Sequence, residues 1–187
     1  MILHIKNMVC DRCIMLVRQQ LQNIGFNVDE VNLGIASIEP EPDGEQLSLI
    51  SSQLKLLGFE LLDNEKDQMV ERIKSLIIEK VHHSDLADKH LNFSQYLSDG
   101  LNKEYAYLSR MFSDAEDMTI EKFIIQQKIE KVKELLEYGQ LNLNEITWEM
   151  GYSSSAHLST QFKAITGLTP SQFKASEKRR RKPIDKL

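Results

Sequence analysis

The sequence lacks the features that define disulfide-rich, secreted and membrane proteins. It contains two cysteines, Cys10 and Cys13, and two such residues three positions apart make a poor disulfide framework. The two cysteines are more consistent with a metal-binding or redox-active pair in a reducing compartment than with a structural disulfide. No apolar stretch approaches the roughly 20 residues that a membrane span needs, and no basic segment precedes a long apolar run at the N-terminus. We therefore expect a cytoplasmic protein.

Patterns typical of enzymes are also absent. The sequence shows no grouping of Ser, His and Asp, no paired carboxylates of a cleft and no glycine-rich phosphate loop. A thioredoxin-like use of the two cysteines would need a following α/β domain, which the sequence does not provide. We therefore do not expect catalysis.

An excess of basic residues, the usual sign of nucleic-acid binding, is missing from the chain as a whole. Its 23 Lys and Arg stand against 28 Asp and Glu, a formal net charge of -5. All of that charge belongs to residues 1–63, with 4 basic and 9 acidic side chains, whereas residues 64–187 hold 19 of each. The length of 187 residues allows two small domains. The net negative charge of the whole chain therefore does not argue against nucleic-acid binding by a second domain within residues 64–187.

Residues 1–63 show the pattern of a strand, a helix, two strands, a helix and a strand. Leu3 and Ile5 alternate with polar residues, and apolar residues then recur at helical spacing, at Ile14, Val17, Leu21 and Ile24. A hairpin is predicted around Gly34, and a second helical stripe ends at Gly58, before a last strand at residues 59–62. The pattern predicts an α+β domain with a ferredoxin-like βαββαβ order.

An internal repeat dominates residues 64–176, which are predicted to be all-helical. Four apolar positions, Leu97, Leu101, Leu108 and Phe112, recur as Ile146, Met150, Leu158 and Phe162. Each set predicts a helix, a tight turn and a second helix pinned against the first, which is the geometry of a helix-turn-helix unit. A long helix that begins after Thr119 and ends at Gly139 would join the two units. The alternative is a helical bundle whose polar faces are merely solvated.

The polar face of each second helix carries the candidate DNA-binding residues. Arg can pair with guanine, Ser and Thr can reach bases or phosphates, and small residues allow close approach to thymine methyl groups. The candidates are Lys103, Tyr105, Ala106, Ser109 and Arg110 in the first unit and Ser155, Ala156, His157, Ser159 and Thr160 in the second.

Four ordered stretches resemble the DNA-binding domain of AraC/XylS-type regulators, over roughly residues 66–175: Tyr107–Phe112, Lys128–Leu136, Ile146–Ser154 and Phe162–Phe173. The resemblance implies a sequence-specific transcriptional regulator whose partners are double-stranded DNA and RNA polymerase. Members of this family often carry Arg at the place of Thr160, so we expect less base readout from the second unit. The segment Ser113–Asp117 is more acidic than usual there.

Cys10 and Cys13 are predicted to lie in the loop between the first strand and the first helix. The helix end and Arg12 are expected to stabilise thiolates there. Two soft ligands suit one thiophilic ion such as Cu(I), whereas tetrahedral zinc needs two more ligands. The segment Asn7–Cys13 is similar to the metal-binding loop of heavy-metal-associated domains, with Asn7 in place of the usual Gly. Three interpretations stay open: metal sensing, thiol redox sensing and an inactive fold used for docking.

The sequence thus predicts a metal- or redox-sensing domain at residues 1–63, a DNA-binding domain at residues 64–176 and a basic, mobile tail at residues 177–187. The rival is a metal-handling, chaperone-like protein whose helical half is a docking surface for a partner. Three further residues are given ordinary roles. His82 and His83 are expected to be solvated at a helix end, and Met15 to lie in the core.

Overall fold

The N-terminal part of the computed structural model, which describes residues 1–84, 92–176 and 184, is a four-stranded sheet with two helices. Its elements are β1 (Ile2–Lys6), α1 (Asp11–Asn23), β2 (Asn27–Asn32), β3 (Ile35–Glu39), α2 (Gly44–Leu56) and β4 (Glu60–Leu62). The strands follow the order β2-β3-β1-β4, and every neighbouring pair is antiparallel. The small sheet expected at the start of the chain is therefore present.

One face of this sheet packs on α1 and α2. Leu3 and Ile5 point to that face and are fully buried, as their alternation predicts, while His4 between them lies on the opposite face. The helices contribute buried residues at helical spacing, Val17 and Leu21 from α1 and Ile50 and Leu54 from α2. The resulting core is separate from the helical core that follows.

The C-terminal part is helical. Its elements are α3 (Glu65–Ile78), which continues as a π-helical turn (Glu79–His83), α4 (Phe93–Leu101), α5 (Tyr105–Glu116), α6 (Ile120–Tyr138), α7 (Leu143–Glu149), α8 (Ser155–Thr166) and α9 (Pro170–Ala175). No helix among the described ranges is long and apolar enough to cross a membrane. The predicted basic tail lies outside the described residues, apart from Ile184.

The long helix α6 begins and ends where the sequence predicts. The Thr119 hydroxyl accepts a hydrogen bond from the backbone N–H of Lys122 at 3.2 Å, and Gly139 ends the helix with φ 68°. Apolar side chains of α6 pack into the helical core, among them Phe123, Ile129 and Val132. A single rigid helix therefore connects the helices before it to those after it.

The helix α3 also contacts the free face of the sheet. It packs against β1 and β4, and the Ser75 side chain lies so close to Gly34 that a Cβ at that glycine would stand 2.6 Å from the Ser75 hydroxyl. Gly34 also has φ 80°, a conformation that side chains with a Cβ rarely adopt. Close packing of α3 on the β2-β3 turn therefore requires glycine there.

Two of the expected ordinary roles are wrong. Met15 is 61% exposed, because α1 turns its buried stripe through Val17 and Leu21 and leaves Met15 on the outer face. His82 is largely buried, and its Nε2 lies 2.9 Å from Oε1 of Gln127, which is fully buried on α6. His83 is exposed, as expected.

Candidate nucleic-acid interface

Two helix pairs, α4 with α5 and α7 with α8, flank the long helix α6. In each pair the chain reverses at a residue with positive φ, Asn102 at 50° and Gly151 at 66°. The second helix of each pair is pinned by a buried Leu and Phe one turn apart, Leu108 with Phe112 and Leu158 with Phe162. The apolar repeat of the sequence therefore corresponds to a repeat of packing.

The two second helices have the same pattern of exposure. Over eight positions, from Tyr105 in α5 and from Ser155 in α8, half-buried, exposed and buried residues follow in the same order. Among the predicted DNA contacts, those exposed on the surface are Lys103, Ala106, Arg110, Ala156, His157 and Thr160, while Ser109 and Ser159 are half-buried. The structure thus brings most of the predicted residues onto equivalent, accessible faces.

The first residues of these helices are engaged within the protein. The Tyr105 hydroxyl donates to the carboxylate of Glu121 on α6, and burial together with this bond raises the pKa of Tyr105. The Ser155 hydroxyl donates to Oδ1 of Asn144 on α7 at 2.5 Å. Both side chains hold their helix against a neighbouring helix instead of extending outward.

The start of α8 is well ordered by local bonds. Ser154 caps the helix by accepting from the backbone N–H of His157 at 3.1 Å, and Nδ1 of His157 lies 3.2 Å from the Ser153 hydroxyl. The Thr160 hydroxyl donates to the carbonyl of Ala156 at 2.9 Å, which leaves its methyl group as the outward contact. The exposed face of α8 is therefore small and only weakly charged.

Sequence reasoning missed one exposed residue of α5. Tyr107 is 45% exposed and occupies, fifty positions earlier, the place of His157 in α8. The offset of fifty between Leu108 and Leu158 was the signal that could have found it. The exposed face of α5 therefore includes an aromatic ring beside Ala106.

The acidic end of α5 is partly neutralised. Glu116 forms an ion pair with Lys74 of α3, with a distance of 2.6 Å between Nζ and Oε2. Asp114 and Asp117 are exposed at the same end. Negative charge at the C-terminal end of α5 leaves its N-terminal half, with Arg110, and the preceding turn, with Lys103, better suited to DNA.

Lys128 of α6 fixes the second helix pair. Its Nζ donates to the carbonyl of Met150 at 3.0 Å and lies 5.2 Å from the ring centre of Tyr152 and 5.8 Å from that of Phe93. Burial lowers the pKa of Lys128. The turn that precedes α8 is therefore held on α6 by the half-buried ammonium group of Lys128.

The two cysteines lie at the start of α1, with Sγ atoms 3.5 Å apart and no disulfide. Cys10 caps the helix and Cys13 belongs to its first turn, so only Cys10 precedes the helix. Burial is the largest effect and raises the pKa of the Cys13 thiol; the backbone N–H groups of Val9 and Cys10 act in the opposite direction, and the Cys10 side chain adds to the rise. This direction favours the thiol form of Cys13, and the thiolate that the sequence leads us to expect at the pair stays a prediction.

The loop before the cysteines is tied to α3. The backbone N–H of Asn7 donates to Oε1 of Glu71 at 3.1 Å, and the carbonyl of Val9 accepts from Nε2 of His83 at 2.9 Å. Asn7 adopts φ 73°, and its amide donates to the carbonyl of Gly58 at 3.0 Å. In the described part of the chain, no group of three or more His, Cys, Asp or Glu could hold a metal ion.

Comparison with protein families supports a DNA-binding fold for the helical part. Residues 97–176 match the family described as a helix-turn-helix domain. The Msm operon regulatory protein of Streptococcus mutans is 32% identical over 74 residues, 40% of this chain and 27% of that protein. The transcriptional activator RhaR of Escherichia coli is 31% identical over 67 residues, 36% of this chain and 24% of RhaR. The chain therefore spans about a quarter of the length of these two relatives.

A solved structure has the same architecture in its helical part. The C-terminal domain of AraT, a response regulator from Geobacillus stearothermophilus, is 26% identical with a TM-score of 0.51. The match covers 62% of this chain and 93% of the AraT domain. The helical part thus has the fold of a helix-turn-helix domain known from a bacterial regulator.

Proposed function

We propose that this protein is a sequence-specific, DNA-binding transcriptional regulator of the AraC type. The observation that carries the proposal is the shared exposure pattern of α5 and α8, two helices at the ends of one rigid connection. A solvated bundle does not require equal faces fifty residues apart, whereas two helix-turn-helix units that read DNA do. The family match over residues 97–176 supports the same conclusion.

Each exposed face has a chemistry suited to the major groove. Arg110 can donate two hydrogen bonds to one guanine, and Ala106 and Ala156 leave room for close approach and contact with thymine methyl groups. Tyr105 and Ser155 position the helices, because their hydroxyls are bound to Glu121 and Asn144. The first unit contributes more polar readout than the second, in which Thr160 offers a methyl group.

Both units lie in one chain, so a single copy would cover two successive major grooves, about 34 Å apart on one side of the duplex. Selection from a random duplex library with the purified full chain tests the function directly. We expect one enriched motif with two half-sites separated by about one turn of DNA. Failure to enrich any sequence, with the folded protein at low salt, would refute the proposal.

We further propose that the N-terminal part is a ferredoxin-like input domain. Its βαββαβ order and antiparallel sheet support this, and so does the loop with Cys10 and Cys13. Two neighbouring thiols, with Sγ atoms 3.5 Å apart, are the ligands that a soft ion such as Cu(I) prefers, and Cys10 and Cys13 would hold it. They do not fit a tetrahedral zinc site, since no third ligand of the usual type stands beside them within the described ranges. Cys10 and Cys13 would hold such an ion as thiolates, so binding would require the Cys13 thiol to release its proton to solvent.

A chain of contacts connects this loop to α5. Asn7 is bound to Glu71 on α3, and Lys74, one turn further on, is paired with Glu116 at the end of α5. Movement of the loop can therefore reach the first DNA-reading helix through α3. RNA polymerase is the protein partner we propose, by analogy with AraC-type regulators.

The rival function is metal handling without gene control, in which the helical part is a docking surface for a protein. The favourable observation is the thiol pair itself, which would serve storage equally well. The library selection separates the two functions, because a metal-handling protein would enrich no DNA motif.

A further inference from the structure

The structure contains a cleft between the N-terminal sheet, α3 and α5, with a volume of about 640 Å³. This lies within the range of about 300–1,000 Å³ that is usual for ligand pockets. From α3 the cleft is lined by Lys66 and Arg72, from the turn before α5 by Lys103, from α5 by Tyr107 and from β1 by His4. It therefore opens beside the face of α5 that we propose to read DNA.

Three cations in this cleft have no acidic partner in the described part of the chain. Lys66, Arg72 and Lys103 form no ion pair with any residue that the structure describes. One carboxylate, that of Glu65, also lines the cleft. Three positive side chains around one hollow repel each other unless an anion lies between them.

A second, independent observation concerns His4. Its Nδ1 is buried and has no hydrogen-bond partner among the described residues. Buried polar atoms in folded proteins are almost always paired, so the ring of His4, which lines the cleft, retains an unused hydrogen-bonding nitrogen beside the three cations. Burial, and after it the charge of Arg72, which also lines the cleft, lower the pKa of His4.

We propose that this cleft binds a phosphate group. Arg offers the planar donor geometry that suits phosphate oxygens, and Lys66 and Lys103 add charge from either side. Tyr107, which is 45% exposed and lines the cleft, carries a hydroxyl that can donate a further bond. The phosphate can come from the DNA backbone beside the half-site that α5 reads, which extends the proposed interface onto α3 and β1, or from a free phosphorylated compound.

Binding of a DNA backbone phosphate in the cleft rests on the proposed function, and it is tested with the selected duplex. Arg72→Gln and Lys66→Gln in the full chain should each weaken binding of selected and random duplexes by the same factor. Each should also lower the slope of log affinity against log salt by about 0.9, the value for one lost phosphate contact. Lys55→Gln is the matched control, because Lys55 is exposed on α2 and does not line this cleft. It should leave the slope unchanged.

Binding of a free phosphorylated compound in the cleft is tested without DNA. Inorganic phosphate at constant ionic strength should raise the unfolding temperature of the wild-type chain, and Arg72→Gln should lose that increase. A phosphate effect with unchanged DNA slopes would assign the cleft to a phosphorylated compound. Unchanged slopes together with no phosphate effect in the wild type would overturn the proposal. Lack of any DNA binding by the wild type would instead refute the proposed function, and the phosphate measurement would still decide on the cleft.

Discussion

The backbone N–H of Asn7 donates to the buried carboxylate of Glu71 at 3.1 Å, which joins the cysteine loop to the helix that leads to the DNA-binding part. Burial is the largest effect on Glu71 and raises its pKa, against the lowering contributed by Asn7 and two lysines. The carboxylate therefore loses its proton less readily in the folded chain than in the unfolded one. The direction of this pKa shift determines how the free energy of unfolding changes with pH.

We predict that Glu71→Gln becomes progressively more stable than the wild type as pH rises from about 4 to 7. Because the pKa of Glu71 is higher in the folded chain than in the unfolded one, protonation stabilises the fold at a pH below the ordinary pKa of a carboxyl group. This contribution is lost as pH rises through the folded-state pKa. Glutamine keeps an acceptor for Asn7 without the charge. Urea unfolding at several pH values measures the difference. Glu60→Gln, an exposed site, is the control, and a constant difference for Glu71→Gln would contradict the prediction.

Lys128→Met should lower the free energy of unfolding by about 1–3 kcal/mol, the cost of leaving a buried acceptor unpaired. The acceptor is the carbonyl of Met150, a residue that is 2% exposed, and the ring contacts with Phe93 and Tyr152 are lost as well. DNA affinity should fall with it, because the turn before α8 loosens. Lys122→Met on the exposed side of the same helix should change neither quantity in urea unfolding or DNA titration.

Arg110→Ala should cost about 1–3 kcal/mol on the selected site and relax the sequence preference at one base pair, as expected for loss of a paired contact to guanine. Binding measured against the selected duplex and its single-base variants shows both effects. Equal weakening on every duplex would assign Arg110 to a phosphate instead. Thr160→Arg, which adds a guanidinium to the exposed face of α8, should add sequence preference at the second half-site.

The periodicity of apolar residues was sufficient to predict the order of elements and the main packing repeat. Thr119 and Gly139 also gave the ends of α6, because capping depends on neighbours within four residues. Local patterns of this kind are written in the sequence itself. The accessible positions of α5 and α8 followed from the same repeat.

Interactions between distant residues could not be predicted in this way. His82 is bound to Gln127, 45 positions away, and Tyr105 is bound to Glu121 on the next helix. The cleft beside α5 takes His4 from β1 and Lys103 from the helical part. Such partners depend on how α3 packs against the sheet, which no short stretch of sequence specifies.

His82 provides a prediction for acid conditions. Burial lowers its pKa from about 6.5 to about 4, so below pH 6.5 the unfolded chain binds a proton that the folded chain does not. Stability should therefore fall as pH drops from about 6.5 to about 4. His82→Gln should flatten this part of the pH profile of urea unfolding, whereas His157→Gln, at an exposed position, should retain it. A profile that His82→Gln does not alter would contradict the burial argument.

The last prediction concerns the thiol pair. The reduced full chain should take up about one Cu(I)-like ion per molecule, and Cys10→Ser should abolish uptake without unfolding the chain, because Cys10 lies at a helix end outside the core. Uptake should weaken as pH falls, since the raised pKa of Cys13 makes the proton a stronger competitor of the ion. Metal titration of the wild type and Cys10→Ser at two pH values measures both effects.

Regulation requires more than binding, because an ion that binds two states equally shifts nothing. If the loop acts through Glu71 and α3, the affinity for the selected duplex should differ between apo and metal-loaded protein, and the difference should vanish in Cys10→Ser. Equal affinities of these two forms, with a change only after mild oxidation of the pair, would make the site a thiol redox sensor. Insensitivity to both treatments would make the N-terminal part a docking domain, because neither chemistry of the cysteines would then reach α5.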